Sequence, residues 1–287
     1  MASYINTNLS SMQAQRSLGT AQTALNTSVQ RLSSGLRVNG AKDDAAGLAI
    51  ATGMDKTVRG QSVAMRNAND AISFSQTTEG ALGKVSDTMQ RMRELAVQSA
   101  NGTNSSDQRT AMDTEFKELQ AEIGRVTKNT EFNGLKVLGD GASQKFQIGS
   151  NTTADNQIEI KGTDLSTTAA TKSETSKLAI DADQTTSTFD ITDVAKASAA
   201  IDQIDLALKE VSGQQTIHGA AQNRMSSVIS TLQVSNENQS AARSRIMDTD
   251  FASETANLAR NQILQQASTA MLGQANQLPN GVMRLLG

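Results

Sequence analysis

The chain has 287 residues with 26 basic and 29 acidic side chains, a net charge of −3, one His, no Cys and no Trp. That balance gives no electrostatic basis for binding nucleic acid, and the missing Cys excludes disulfides, thiolate metal sites and thiol nucleophiles. A lone His cannot supply a zinc triad or an H-E-x-x-H pair, so neither a metal nor another cofactor is expected.

Aromatic residues at 2 % leave Leu, Ile, Val, Met and Ala to build the core, which suits thin helical bundles better than a thick globule. The length allows two domains. No run approaches 18 apolar residues, so no membrane insertion is expected. The opening MASYINTNLSSMQAQRSLG lacks a basic region followed by an apolar one, so no cleavable secretory signal is read.

In chain order, Leu18, Ala21, Leu25, Val29, Leu32 and Leu36 recur every three or four residues, after Ile5, Leu9 and Met12 on an offset stripe. This predicts a long amphipathic helix. From Arg31 to Met54, Gly35, Gly40, Gly47 and Gly53 predict a connector that changes direction. The adjacent Asp43 and Asp44 point different ways, which fits a helix N-cap better than a cation site.

Between Thr57 and Ala100 the residues Met65, Ala68, Ile72, Ser75, Glu79, Leu82, Val85, Met89, Met92 and Ala96 approximate a 3.5-residue repeat. At that spacing the Met residues read as core rather than as a binding groove. NGTNSSD is a turn ending in capping residues, and Met112, Phe116, Leu119, Ile123 and Val126 predict a shorter antiparallel helix.

The period then changes to two: Phe146 with Ile148, Ile158 with Ile160, Leu178 with Ile180, and Phe189 with Ile191 predict short strands. A further helix carries Ile201, Ile204, Leu208, Val211, Gln215, His218, Gln222, Met225, Ile229 and Leu232 in its seam. His218 between Gln215 and Gln222 forms a polar layer that can fix register.

The last forty residues hold two neighbouring stripes, Ala252, Ala256, Ala259, Ile263, Ala267, Ala270 and Leu264, Ala267, Met271, Ala275, Leu278. Asp248 or Thr249 is expected to cap this helix, Glu254 to sit favourably in its first turns, and Pro279 with Gly281 to end it. Ordering such a segment costs more than burying its mostly small apolar groups returns. It is therefore expected to gain structure only when other copies, or another stretch of the chain, cover its face.

The expected fold class is mainly α: a long antiparallel helical bundle with terminal coiled-coil helices and a small β-hairpin region in the middle of the chain. The terminal domain is read as residues 1–42 and 248–287, the connector as 43–56, and the bundle as 57–247 with a β excursion at about 129–192.

The stretches RLSSGLRVNGAKDDAAGLAIA, QRMRELAVQSANGTNS, TEFNGLKVL and RIMDTDFASETANLARNQILQQASTAMLGQANQLP resemble a bacterial flagellin, the subunit of the flagellar filament. They cover most of residues 1–138 and 195–287; the short middle departs, leaving room for hairpins and no large outer domain. The resemblance implies a structural subunit that polymerises into a helical filament for motility, is exported unfolded through the flagellar type III apparatus, and resides outside the cell. It implies partners as well: further copies of the chain, hook-associated and cap proteins, an export chaperone on the C-terminal helix, and a host Toll-like receptor.

Subunit assembly is assigned to Leu18, Leu25, Leu32, Leu36, Phe251, Leu258, Ile263, Leu264, Met271 and Leu278. Receptor contact is carried over by motif to Gln90, Arg91, Glu94 and Leu95, with Glu115 on the facing helix. Physics alone would read these as a solvated helix face. The alternative is a hook-filament junction protein, which shares the terminal patterns. An enzyme of the middle segment is not expected, since residues 139–192 contain no His or Cys.

Overall fold

The computed structural model describes residues 7–139, 141–163, 165 and 189–286, with side chains up to residue 277. Ile5, the Leu178 and Ile180 pair and the Leu278 side chain lie outside the described residues. The described elements are α1 (Leu9–Ser34), α2 (Ala45–Ala100), α3 (Ser106–Asn129), β1 (Glu131–Phe132), β2 (Leu135–Lys136), β3 (Gln144–Gln147), β4 (Gln157–Ile160), α4 (Val194–Met247) and α5 (Phe251–Leu286). The chain divides into two compact units, Met1–Val58 with Glu237–Gly287, and Arg59–Asn236.

Local chemistry sets the helix ends. Asn8 accepts from the Ser11 N–H at 3.0 Å to start α1, which stops at Gly35, where φ is 71° and the N–H bonds to Arg31 O. Asp44 accepts from the Gly47 N–H at 2.8 Å and starts α2, while Asp43 accepts from the N–H groups of Asn39 and Gly40. Both carboxylates therefore serve backbone. The glycine stretch interrupts the helix over a shorter span than expected, because α2 runs unbroken through Gly47 and Gly53.

Ser105 and Gln108 form a reciprocal capping box at α3. At α5 the cap is Asp250, neither Asp248 nor Thr249: it accepts from the Ala252 N–H at 3.0 Å, whereas the Asp248 and Thr249 N–H groups bond to Ser244 O and Gly35 O. Nor does α5 end at Pro279. Proline has no N–H to give Ala275 O four residues back, and Asn8 Nδ2 donates to that oxygen instead, at 2.8 Å.

In the unit 59–236 the buried face of α2 is Ala64, Ala68, Ala71, Ser75, Thr78, Leu82, Val85, Met89, Met92 and Ala96. The phase differs from the expected stripe at three places, with Ala64, Ala71 and Thr78 replacing Met65, Ile72 and Glu79. Small side chains let the neighbouring helices come close; Met65 and Ile72 are half-buried beside them, Ile72 against the core, Glu79 is exposed, and Phe74 is buried on the same side.

From α3 come Phe116 and Ile123, and from α4 Ala197, Ala200, Ile204, Ala207, Val211 and Met225. The α4 seam keeps Ile204, Val211, His218 and Met225 buried as expected, while Ala200 and Ala207 are covered more completely than the half-buried Ile201 and Leu208. Asn133 (φ 51°) and Gly134 (φ 77°) make the tight turn between antiparallel β1 and β2, since both positions need positive φ.

β3 and β4 pair antiparallel, Phe146 opposite Ile158, and bury Ile158 and Ile160. Around Phe189 and Ile191 no strand forms among the described residues. Ile191 is instead a buried plug, its N–H held by Asp113 at 2.9 Å and its carbonyl by the Ser99 hydroxyl.

Removing the largest α3 side chain leaves a cavity in this core. Phe116→Ala is expected to lower unfolding free energy by about 3–5 kcal/mol in urea denaturation; a loss below about 1 kcal/mol would place Phe116 outside the cooperative core.

Candidate assembly interface

Within the unit formed by the two chain ends, α1 and α5 pack antiparallel along a seam of alternating three- and four-residue steps. On α1 the covered positions are Ser11, Ala14, Leu18, Ala21, Leu25, Ser28 and Leu32; on α5 they are Glu254, Leu258, Asn261, Gln265, Ser268, Leu272 and Ala275. Half of this seam is polar. Ser11 Oγ donates to Asn276 Oδ1 at 2.8 Å, Asn261 Nδ2 to Ser28 Oγ at 3.4 Å, and Gln265 Nε2 to Gln22 Oε1. Arg31 Nη1 lies 3.9 Å from Glu254 Oε2. Hydrogen-bonded layers of this kind fix register while contributing less than an apolar layer would.

The helices are joined at their other end by backbone. Arg37 N–H donates to Met247 O at 2.6 Å, Arg37 Nη2 to Ile246 O at 2.6 Å, and Thr249 N–H to Gly35 O at 3.0 Å. Val38, Ala51 and Met247 are buried together there, with Leu36 against them.

Apart from Ala275, the described residues of the apolar stripes read from the C-terminal sequence therefore face away from α1. Ile263 is 65 % exposed and Met271 63 %, while Leu264, Phe251 and the row Ala252, Ala256, Ala259, Ala267 and Ala270 are also open to solvent. On α1, Leu9, Met12 and Val29 are exposed, and Ser28 takes the seam position expected for Val29.

The assigned assembly residues therefore fall into two groups. Leu18, Leu25, Leu32 and Leu258 are half-buried in the seam, and Leu36 packs at its closed end. Phe251, Ile263, Leu264 and Met271 stand free. Sequence reasoning missed Asn261, Gln265 and Ser268, because polar residues carry no hydrophobic signal; only a three-four template laid through Leu258, Leu272 and Ala275 finds them. A shallow groove of about 610 Å³ runs beside the seam, bounded by Gln13, Arg16, Ser17, Thr20, Asn261 and Leu264.

The second set of site residues lies on α2 and α3. Arg91 bonds Glu115 through Nε (3.0 Å) and Nη2 (2.9 Å), and Glu94 through Nη1 (3.0 Å). The hydrogen bonds it donates to Glu115 and then to Glu94 raise the Arg91 pKa above its ordinary value. These groups and Gln90 form an exposed, preorganised polar patch. Leu95 does not belong to its surface. It is 2 % exposed, inside the core with Met92 and Ala96, and supports the patch from beneath.

Among the described residues no group of acidic or His side chains could hold a metal ion, and no helix is long and apolar enough to cross a membrane.

The family pattern described as the bacterial flagellin N-terminal helical region matches residues 5–143, and that of the bacterial flagellin C-terminal helical region matches residues 201–286. A flagellin of Halalkalibacterium halodurans is 44 % identical over 283 residues, covering 98 % of this chain and 99 % of its own. Flagellin A of Vibrio cholerae serotype O1 is 37 % identical over an alignment of 378 positions covering both chains completely. Among solved structures, a putative flagellar hook-associated protein of Vibrio parahaemolyticus is similar with a TM-score of 0.58 at 14 % identity, over 72 % of this chain and all of its own, a likeness of fold alone.

Because the stripe side chains stand outside the seam, replacing both Ile263 and Leu264 by Asp is expected to shift monomer unfolding by less than about 0.5 kcal/mol. A larger loss in thermal or urea unfolding would put these residues in the intramolecular contact.

Proposed function

Since the chain belongs to the bacterial flagellin family, we propose that its subunits assemble by covering the apolar stripes which α5 and α1 leave exposed in the single chain. The protein is a structural subunit of the extracellular flagellar filament, which self-polymerises, and the family is not one of enzymes.

The observation that supports the assembly reading is the division of labour on α5. Leu258 and Leu272 with mostly polar or small residues meet α1, while Phe251, Ile263, Leu264 and Met271 remain open. An apolar row left uncovered in a monomer is a surface for association, and a head-to-tail contact that does not close on itself generates a helical filament. In this reading residues 1–42 and 248–287 form the filament core, and residues 43–56 connect them to the bundle of 57–247. Burial of the stripes on assembly adds the stabilisation that the polar seam does not provide.

The same open row is the natural grip for an export chaperone, which would shield it before assembly. Hook-associated and cap proteins would meet it at the filament's two ends. The Gln90, Arg91, Glu94 and Glu115 patch is the surface for a flagellin-sensing Toll-like receptor, with Leu95 in a supporting role.

Seeded polymerisation followed by sedimentation and electron microscopy tests the assembly reading. Intact chain is expected to elongate seeds, and both the Ile263→Asp, Leu264→Asp variant and a chain ending at Met247 to fail. Elongation by the truncated chain would refute the assignment. Intact chain that only caps seeds would favour a hook-filament junction protein, a reading kept open by the fold it shares with the Vibrio parahaemolyticus structure.

For the receptor, Arg91→Ala is expected to reduce activation at least tenfold with monomer stability unchanged, since an exposed ion pair contributes little to folding. Leu95→Ala should cost about 2–4 kcal/mol of stability. Undiminished signalling by Arg91→Ala would remove the patch from consideration.

A further inference from the structure

We propose that His218 is an acid-sensitive latch: neutral, it holds Thr163 and the chain leaving β4 against the bundle, and on taking up a proton it lets that corner open. The ring is 0 % exposed on the seam face of α4, and Thr163 is 1 % exposed. Their contact is 3.0 Å, between His218 Nε2 and Thr163 Oγ1. The Thr163 hydroxyl also reaches Gln214 Oε1 at 3.4 Å, an acceptor to which it donates. Its lone pair is then free for a proton on His218 Nε2, which assigns the neutral Nε2–H tautomer.

The other ring nitrogen decides the pH response. Nδ1 is buried with no hydrogen-bond partner. As a bare lone pair in the neutral ring it is tolerated; protonated, it becomes a charged N–H donor with no acceptor. Among the described groups, the only charge that acts on the ring is that of Glu79 on α2, which is itself exposed and engaged by Gln222 Nε2 at 2.6 Å. From the β4 side the contact is the uncharged Thr163, and from α4 the uncharged Gln214. Burial accordingly lowers the His218 pKa from its ordinary value, with Glu79 opposing less strongly.

The sign follows from linkage. The unfolded chain binds a proton at the ordinary His pKa of about 6.5, and the folded chain binds it only at lower pH. Stability is therefore complete above about pH 6.5 and declines as pH falls below it, until the folded pKa is reached. The first structure lost is local. Thr163 lies between buried Ile160 and Leu165, whose N–H bonds to Leu138 O at 3.0 Å, so release of Thr163 loosens the segment that closes this corner of the core.

As the only His in the chain, residue 218 gives a single, unambiguous NMR signal. In the full-length monomer we expect the ring to titrate below pH 6.5. Amide exchange of residues 160–163 and 165, expressed as the opening constant after division by the base-catalysed intrinsic rate at each pH, should rise up to about tenfold per pH unit as pH falls from 6.5 to the folded pKa. His218→Gln, which keeps a buried hydrogen-bonding group beside Thr163, should make that exchange insensitive to pH over the same range. Should that variant fail to fold, Thr163→Val removes only the latch contact and should show raised exchange already at pH 7.5. Titration at or above pH 6.5, or an acid response that persists in His218→Gln, would overturn the proposal, as would wild-type exchange in Thr163→Val.

Discussion

Everything distinctive about the terminal unit depends on which face of α5 meets α1. A helix offers overlapping stripes, and a two-helix pair can use only one. Here the pair uses the stripe with Asn261, Gln265 and Ser268, and Asn261, Gln265 and Asn276 of α5 bond Ser28, Gln22 and Ser11 of α1. Polar layers tolerate few alternative registers, because a slip would leave buried amides and hydroxyls without partners. Hydrogen bonds thus restrict the register of a seam that also holds Leu18, Leu25, Leu32, Leu258 and Leu272, while Phe251, Ile263, Leu264 and Met271 are left exposed. Asn8 adds a further constraint at the far end, supplying the carbonyl of Ala275 with the donor that Pro279 lacks.

The unit 59–236 solves the same geometric problem with opposite chemistry. Its helices also step by three and four, but the layers are Ala, Leu, Val, Met and Phe, and the core is completed within one chain. Some buried polar groups pin irregular backbone or its neighbours: Asp113 and Ser99 hold Ile191, and Thr163 sits on His218. Such groups are satisfied at the points where the chain leaves regular structure, as buried polar atoms must be. His218 Nδ1 is an exception among the described residues, and its cost grows with acid. One unit buries its large apolar side chains in its own core; the other leaves an apolar row exposed.

Legibility in the sequence followed the source of the signal. On α4 the positions Ile204, Val211, His218 and Met225 were correctly phased, whereas Ala200 and Ala207 are buried more deeply than the expected Ile201 and Leu208. On α2 the phase drifted by one residue, since Ala64 and Ala71 give a weaker signal than their neighbours Met65 and Ile72. On α5 the reading was inverted with respect to α1: the strongest stripes mark the exposed face. Leu95 was displaced for a related reason. A motif transferred by resemblance gives residues in a row, and only packing separates Arg91 on the surface from Leu95 beneath it.

The sequence by itself determined the helical class, the hairpin turn at Asn133-Gly134, the caps at Asp44 and Ser105, and membership of a filament-forming family. These depend on local propensity, on side chains that bond their own backbone, or on long matching motifs, and none of them needs a partner element. The tertiary structure decided which of two overlapping stripes on α5 would be covered, where α5 begins and how it passes Pro279, and that Ile191 plugs the core without forming a strand. In each of these cases the deciding atoms come from residues distant in the chain: Ser28 and Gln22 for the seam, Asn8 for the proline, Asp113 for the plug. A periodic pattern shows that a face will be buried; the partner that supplies the complementary groups selects which one.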